Sequence, residues 1–178
     1  MLKWMMKDPD FLVRIAEPSD LASVLFLLQQ AGRWLQTKNT TQWDYYVTDL
    51  QENTEEVSDS IDRENTYIVE SDNGECVASI TLEMAPTGWD RSIWGNDAKK
   101  DDAVYLHRIV VNRKFAGKEV GSELIKWAVE RAKEKGKKRL RFDCLASNVG
   151  LNRYYQKWYR RVGIADIYGQ HSKYEMEL

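Results

Sequence analysis

The stretch Leu106-His107-Arg108-Ile109-Val110-Val111-Asn112-Arg113-Lys114-Phe115-Ala116-Gly117-Lys118-Glu119-Val120-Gly121-Ser122 narrows the folds open to this chain more than any other. A β-rich run over 104–111 meets a short basic turn with two glycines, and a helix begins at once. Over 120–135, Val120, Leu124, Trp127, Ala128 and Arg131 share one stripe, and Gly136 ends the helix behind lysines in its last turn. A further strand is expected over 140–145. Strands joined by so long a helical crossover run parallel, because a tight turn returns the chain antiparallel.

The rest of the chain fits around that unit. A strand is expected over 11–16, with helix-start chemistry in Glu17-Pro18-Ser19-Asp20. Leu21, Val24, Leu25, Leu28 and Ala31 repeat at helical spacing to about Gly32, or on through Trp34-Leu35. A second helix runs from Asp49 or Thr54 to Ile61. Strands over 66–70 and 76–84 flank Asp72-Asn73-Gly74-Glu75 and read as an antiparallel hairpin. Residues 85–102 read as a long polar loop. A short helix over 148–158 and strands over 159–167 and 173–178 close the chain. The order predicts an α/β (α+β layered) fold with a mixed sheet and flanking helices, in one domain over 1–178.

Composition excludes some functions. A net charge of −2 argues against a general nucleic-acid binder. The basic run Lys133-Glu134-Lys135-Gly136-Lys137-Lys138-Arg139 reads as a solvated helix end. Cys76 and Cys144 lack metal-ligand spacing, so no metal is expected and a reducing compartment is. No apolar run approaches membrane-spanning length. Charges break up the first residues too much for a signal peptide, so the cytoplasm is the expected location. Seven Trp and nine Tyr offer ring surfaces for packing or for a pocket.

A glycine turn that opens a helix presents backbone N–H groups as an anion site. Two phosphate loops fail on spacing. A nucleotide P-loop needs glycine where Asn112 stands and a hydroxyl where Glu119 stands; a dinucleotide fingerprint needs three glycines, and only Gly117 and Gly121 occur. The segment resembles the coenzyme A loop of the GNAT superfamily of acyl-CoA N-acyltransferases, Arg/Gln-x-x-Gly-x-Gly/Ala. Gly121 matches its last position; Ala116 replaces Arg or Gln, and Glu119 replaces the first Gly. A Cβ at 119 opposes a positive φ, and its carboxylate opposes phosphate. Arg113, Lys114 and Lys118 restore positive potential, and the backbone donors do not depend on side-chain identity. Downstream, Asn148, Tyr154, Tyr155 and Lys157 match the family's Asn-x-x-x-x-x-Φ-Tyr-x-Lys pattern, without its following Gly-Phe. Trp34-Leu35 and Gln42-Trp43 resemble a segment of a bacterial small-molecule branch.

The resemblance implies a mostly antiparallel sheet of about seven strands with a splayed parallel pair. It implies acetyl-CoA as co-substrate, bound by Ile109, Val110, Val111, Lys114, Ala116, Gly117, Lys118, Glu119, Val120, Gly121, Ser122, Asn148, Asn152 and Tyr155. Pantetheine amides would complete main-chain groups at Ile109 and Val111. Tyr155 would be the general acid to the leaving thiolate. His107 is the candidate base that takes a proton from the acceptor ammonium, against a structural role on its strand. Tyr105, on the same strand face by period two, is placed to relay a proton. His171, in a Gly-Gln-His-Ser turn, reads as a surface residue. Trp34, Trp43, Trp89 and Tyr105 form the candidate acceptor pocket, and the tryptophans read equally as core. The expected activity is acetyl transfer to a small primary amine by direct attack in a ternary complex, by a monomer or homodimer without nucleic-acid or membrane partners. A non-catalytic acyl-CoA-binding or regulatory domain of the same fold is the alternative.

Overall fold

The computed structural model describes residues 3–100 and 102–178. Among them are eight strands and six α-helices: β1 (Lys3–Met5), β2 (Phe11–Ile15), α1 (Leu21–Gln36), α2 (Asp44–Thr48), α3 (Leu50–Asp62), β3 (Thr66–Ser71), β4 (Cys76–Glu83), α4 (Gly88–Trp94), β5 (Ala103–Val111), α5 (Val120–Glu134), β6 (Arg139–Leu145), α6 (Val149–Gln156), β7 (Arg160–Asp166) and β8 (Gln170–Glu177). The strands hydrogen-bond in the order β1-β2-β3-β4-β5-β6-β8-β7. β1 with β2, β2 with β3, β3 with β4, β6 with β8 and β7 with β8 pair antiparallel, whereas β5 pairs parallel with β6, the strand that α5 joins to it. Their parallel ladder matches Ala103–Tyr105 to Arg139–Arg141, whereas β6 pairs with β8 along its full length.

Two compact units divide the chain. The first takes in the chain to Leu82 together with Arg108–Lys126; the second is Glu83–His107 with Trp127–Leu178. In the first, Val24, Leu27, Leu28 and Ala31 of α1 bury with Tyr46, Val57, Ile61, Ile68 and Val110. A capping box between Glu17 and Asp20, with Pro18 at the first helical position, starts this helical region. Asp20 also accepts two N–H bonds from Arg14, whose Nε donates to Glu70. Gly32 gives the inside of α1 its close approach: a Cβ there would meet Val47 Cγ2 at 2.8 Å and the Trp43 carbonyl oxygen at 2.9 Å. In the second unit, Ile93, Trp94, Ala98, Ala103 and Tyr105 form one cluster. Phe142, Tyr155, Tyr159 and Tyr174 form an aromatic one.

Two expectations are corrected, and two short elements were not anticipated. Residues 85–102 are not one loop: α4 occupies Gly88–Trp94 and a 3-10 helix follows over Gly95–Lys99. The helix is short, and its stop Gly95 follows Trp94 directly, so periodicity was too brief to register. The strand β1 and the five-residue α2 were also unanticipated. With β1 the sheet has eight strands, in line with the expected mostly antiparallel sheet of about seven with a parallel pair. His171 is buried on β8, not in a surface turn.

Candidate functional site

In the first unit, Val110 is buried in the core while Ile109 and Val111 stay partly exposed, as alternation along β5 requires. Asn112 leaves the strand by donating its N–H to the Val77 carbonyl at 2.8 Å and caps the next turn, its side chain accepting from Lys114 N. Gly117 has φ +83, and Glu119 has φ +59. The loop thus takes a positive φ at the residue where a Cβ opposes it, at a cost of about 1–2 kcal/mol. The turn still delivers Val120, Gly121 and Ser122 to the start of α5, where their N–H groups have no intrahelical carbonyl to bind.

The loop cations are largely engaged. Lys114 Nζ pairs with Glu75 at 2.7 Å. Lys118 Nζ lies over the Phe11 and Phe115 rings. Arg113 stacks on Trp34 at 3.9 Å, and its N–H donates to Gln30 Oε1 at 2.8 Å. Trp34 therefore anchors the loop to α1. Trp43 has φ +63 and packs edge-on against buried Tyr46, alongside the first unit's core. One further residue of β5 leaves the extended region: Arg108 has φ +48.

In the second unit, His107 Nε2 lies 3.1 Å from Asp90 Oδ2. Asp90 is 1% exposed and sits at the third position of α4. The same oxygen accepts from Thr87 N and Thr87 Oγ1, each at 2.8 Å. An ionised carboxylate only accepts, so in a neutral His107 imidazole this contact assigns the proton to Nε2 and leaves Nδ1 its lone pair. Asp90 was missed in the sequence although Thr87-Gly88-Trp89-Asp90 is a capping-box pattern that marks a helix start.

Trp89 donates its indole N–H to Asp143, 3.1 Å from Oδ1, and its ring meets His171 edge-on at 4.8 Å. His171 Nδ1 is 3.2 Å from Asp143 Oδ2 but makes no aligned hydrogen bond. Tyr105 is buried, and its hydroxyl accepts from Arg141 Nη1 at 3.1 Å. It serves that network, and its phenol is raised by burial against the pull of Arg141.

Asn148 caps α6, accepting from Leu151 N, while its buried Nδ2 has no partner among the described residues. Asn152 is spent internally: Nδ2 donates to the Leu145 and Asn148 carbonyls, and Oδ1 accepts from Tyr174 Oη at 2.7 Å. Tyr155 is buried among Phe142, Tyr159 and Tyr174, and its hydroxyl has no protein partner among the described residues. Burial drives its pKa well above the ordinary tyrosine value. Burial also pushes the free thiols of Cys76 and Cys144 up to about 12, so neither is a ready nucleophile.

Among the described residues, no group of three His, Cys, Asp or Glu is disposed to hold a metal ion. No helix among them is long and apolar enough to cross a membrane.

Comparison with known proteins adds a family. Residues 29–159 match the model of the Acetyltransferase (GNAT) family. The Bacillus subtilis (strain 168) protein called uncharacterized N-acetyltransferase YesJ is 31% identical over 153 residues, 85% of this chain and 82% of that protein. A GNAT-family acetyltransferase from Listeria monocytogenes superposes with a TM-score of 0.80 at 28% identity, covering 99% of this chain and all of the other. The PaiA N-acetyltransferase of Thermoplasma acidophilum, solved in complex with coenzyme A, has a TM-score of 0.71 at 16% identity and covers 94% of this chain and 99% of its own.

Proposed function

The chain belongs to the GNAT acetyltransferase family, and from that premise we propose that it moves an acetyl group from acetyl-CoA to a primary amine of a small, amino-acid-like acceptor, by direct attack in a ternary complex. It would do so as a single domain, a monomer or homodimer, in the cytoplasm. Acetyl-CoA supplies an activated thioester, and everything else asked of the protein is positioning and proton handling.

The loop suits a pyrophosphate through its backbone. The α5 N-terminus offers the N–H groups of Val120, Gly121 and Ser122, and Gly117 and Glu119 hold the turn that exposes them. Side-chain charge contributes less than the sequence suggests, because Lys114 is paired with Glu75. That pairing and the Glu119 carboxylate favour the rival reading, an acyl-CoA-binding domain without turnover.

One observation carries the catalytic reading. Asp90, buried and held by Thr87, accepts from His107 Nε2. It thereby fixes the tautomer whose Nδ1 can take a proton from an acceptor ammonium. Tyr155 supports the other end of the reaction. A phenol raised above its usual ~10 stays protonated, and full transfer to a thiolate of pKa ~8.5 is uphill. Its role is therefore to donate a hydrogen bond as negative charge develops on sulfur.

Thermal shift with acetyl-CoA, followed by free-thiol release across an amine panel, separates the two readings: a shift with turnover supports the transferase, and a shift alone supports the binder. In the active enzyme, His107→Gln is expected to lower kcat/KM about 100-fold and to remove the acid limb of its pH profile. An unchanged profile overturns His107 as the base.

A further inference from the structure

Arg108 is a cation whose counter-charge the first unit does not supply. Its Nη2 donates to Thr81 Oγ1 at 3.4 Å, the one hydrogen bond its side chain makes among the described residues. Its Nε is shielded from solvent and has no partner among the described residues. No carboxylate among the described residues pairs with it. A guanidinium carries five N–H donors, and four of these are unspent.

Thr81 cannot compensate the charge. Ser60 spends its proton on the Val57 carbonyl at 2.8 Å, so it accepts from Thr66 at 2.8 Å, which in turn accepts from Thr81 at 2.9 Å. All three hydroxyls are buried. Every proton in the relay points away from Arg108, leaving it one lone pair and no negative charge. Tyr46 is close enough to feel the Arg108 charge, but its hydroxyl is committed to Glu56 at 2.5 Å. Glu56 itself is exposed, so water screens its charge.

The backbone agrees. Arg108 holds φ +48 in the middle of β5, a conformation that a long side chain adopts at a cost and that breaks the strand's alternation. Strain at a residue with unspent donors marks a receptor for something from outside. The phosphate donors argued above lie beyond the end of β5, whereas Arg108 directly follows His107, the proposed base.

We propose that Arg108 receives a carboxylate borne by the acceptor amine, which makes the acceptor an amino acid or a peptide-like acid rather than a polyamine or a simple amine. The planar fork of the guanidinium matches a carboxylate with two parallel N–H bonds. The proposal rests on the transferase reading and narrows its substrate class.

Acceptors tested in pairs that differ only by the carboxylate decide it: phenylalanine against phenethylamine, lysine against cadaverine. Wild type should prefer the acid of each pair. Arg108→Met should raise KM for the acid about 30-fold or more, with kcat and the KM for acetyl-CoA little changed, and should erase the preference. Arg108→Lys keeps the charge without the fork and should restore part of it; it also serves if the methionine variant folds poorly. Preference for the decarboxylated members, or equal loss on both, overturns the proposal. A rise confined to the KM for acetyl-CoA assigns Arg108 to a coenzyme phosphate and overturns it too. Should no amine be turned over, the transferase reading falls by itself. Calorimetric binding of the same acids then decides the receptor: binding lost in Arg108→Met sustains it, and no binding by wild type overturns it.

Discussion

Two strand arginines, one in each unit, meet their surroundings in opposite ways. Arg141 on β6 is 3% exposed; its Nε donates to Glu175 at 2.7 Å, its Nη1 to Tyr105 Oη and the Asp97 carbonyl, and its plane lies 4.7 Å from the Trp94 ring centre. Burial pulls its pKa down, but the bonds to Glu175 and Tyr105 outweigh that and raise it. Among the described residues, Arg108 on β5 has one long bond to a hydroxyl and a shielded Nε with none. The first is closed by the chain itself and is structural. The second is left open. Arg141 is buried and Arg108 only partly so, but it is the count of spent donors that tells the closed group from the open one.

Stability measurements break or sharpen that contrast first. Arg141→Met should destabilise the protein by about 2–3 kcal/mol in urea unfolding, because it leaves Glu175 with only the longer Arg139 contact at 3.8 Å and takes the donor from the Tyr105 hydroxyl. Arg108→Met should stay within about 1 kcal/mol of wild type, since it removes a charge that nothing pairs. Equal losses in both variants would end the distinction.

Tyr155 is an open group of another kind, a buried phenol whose hydroxyl has no protein partner among the described residues. Tyr155→Phe should lower kcat about 100-fold while leaving the melting temperature and the KM for acetyl-CoA near wild type. Its folded-state pKa lies above the unfolded value of ~10, so the protonated phenol favours the fold below that pH and the benefit fades as pH rises through the folded pKa. The kcat profile should accordingly show no limb from Tyr155 below about pH 10. A full-rate phenylalanine variant removes it from the chemistry.

The sequence was most legible where one period ran long. The α5 stripe and its Gly136 stop located that helix within a residue, and the long crossover called for the parallel pair that β5 and β6 form. Short elements were illegible for a physical reason: α2 and α4 are five and seven residues, too few turns for a stripe to stand out. The site divides along the same line. Residues tied to a local motif, such as Gly117, Gly121 and Asn148, could be proposed from it. Asp90, Arg108 and Asp143 act through partners 17 to 54 residues away, and no local pattern reports such pairs. His171 was misread for that reason, since Asp143 and Trp89 bury it from other elements.

Glu119 offers the smallest and most divisible test. It holds φ +59 just before the first residue of α5, so it combines backbone strain with a carboxylate beside the proposed pyrophosphate donors. Glu119→Gly relieves the strain, but glycine's freedom in the unfolded chain offsets the gain, and stability should move by less than about 1 kcal/mol. Calorimetry should show acetyl-CoA binding about 3–10-fold tighter, because like charge is removed from a phosphate site. Glu119→Gln keeps the strained backbone and removes only the charge. If it reproduces most of the gain, and the gain shrinks with added salt, charge is the cause. A gain seen in the glycine variant alone assigns the effect to the backbone. Unchanged affinity in both would mean that the α5 donors do not hold the pyrophosphate, and the loop would join Arg141 among the features that serve the fold.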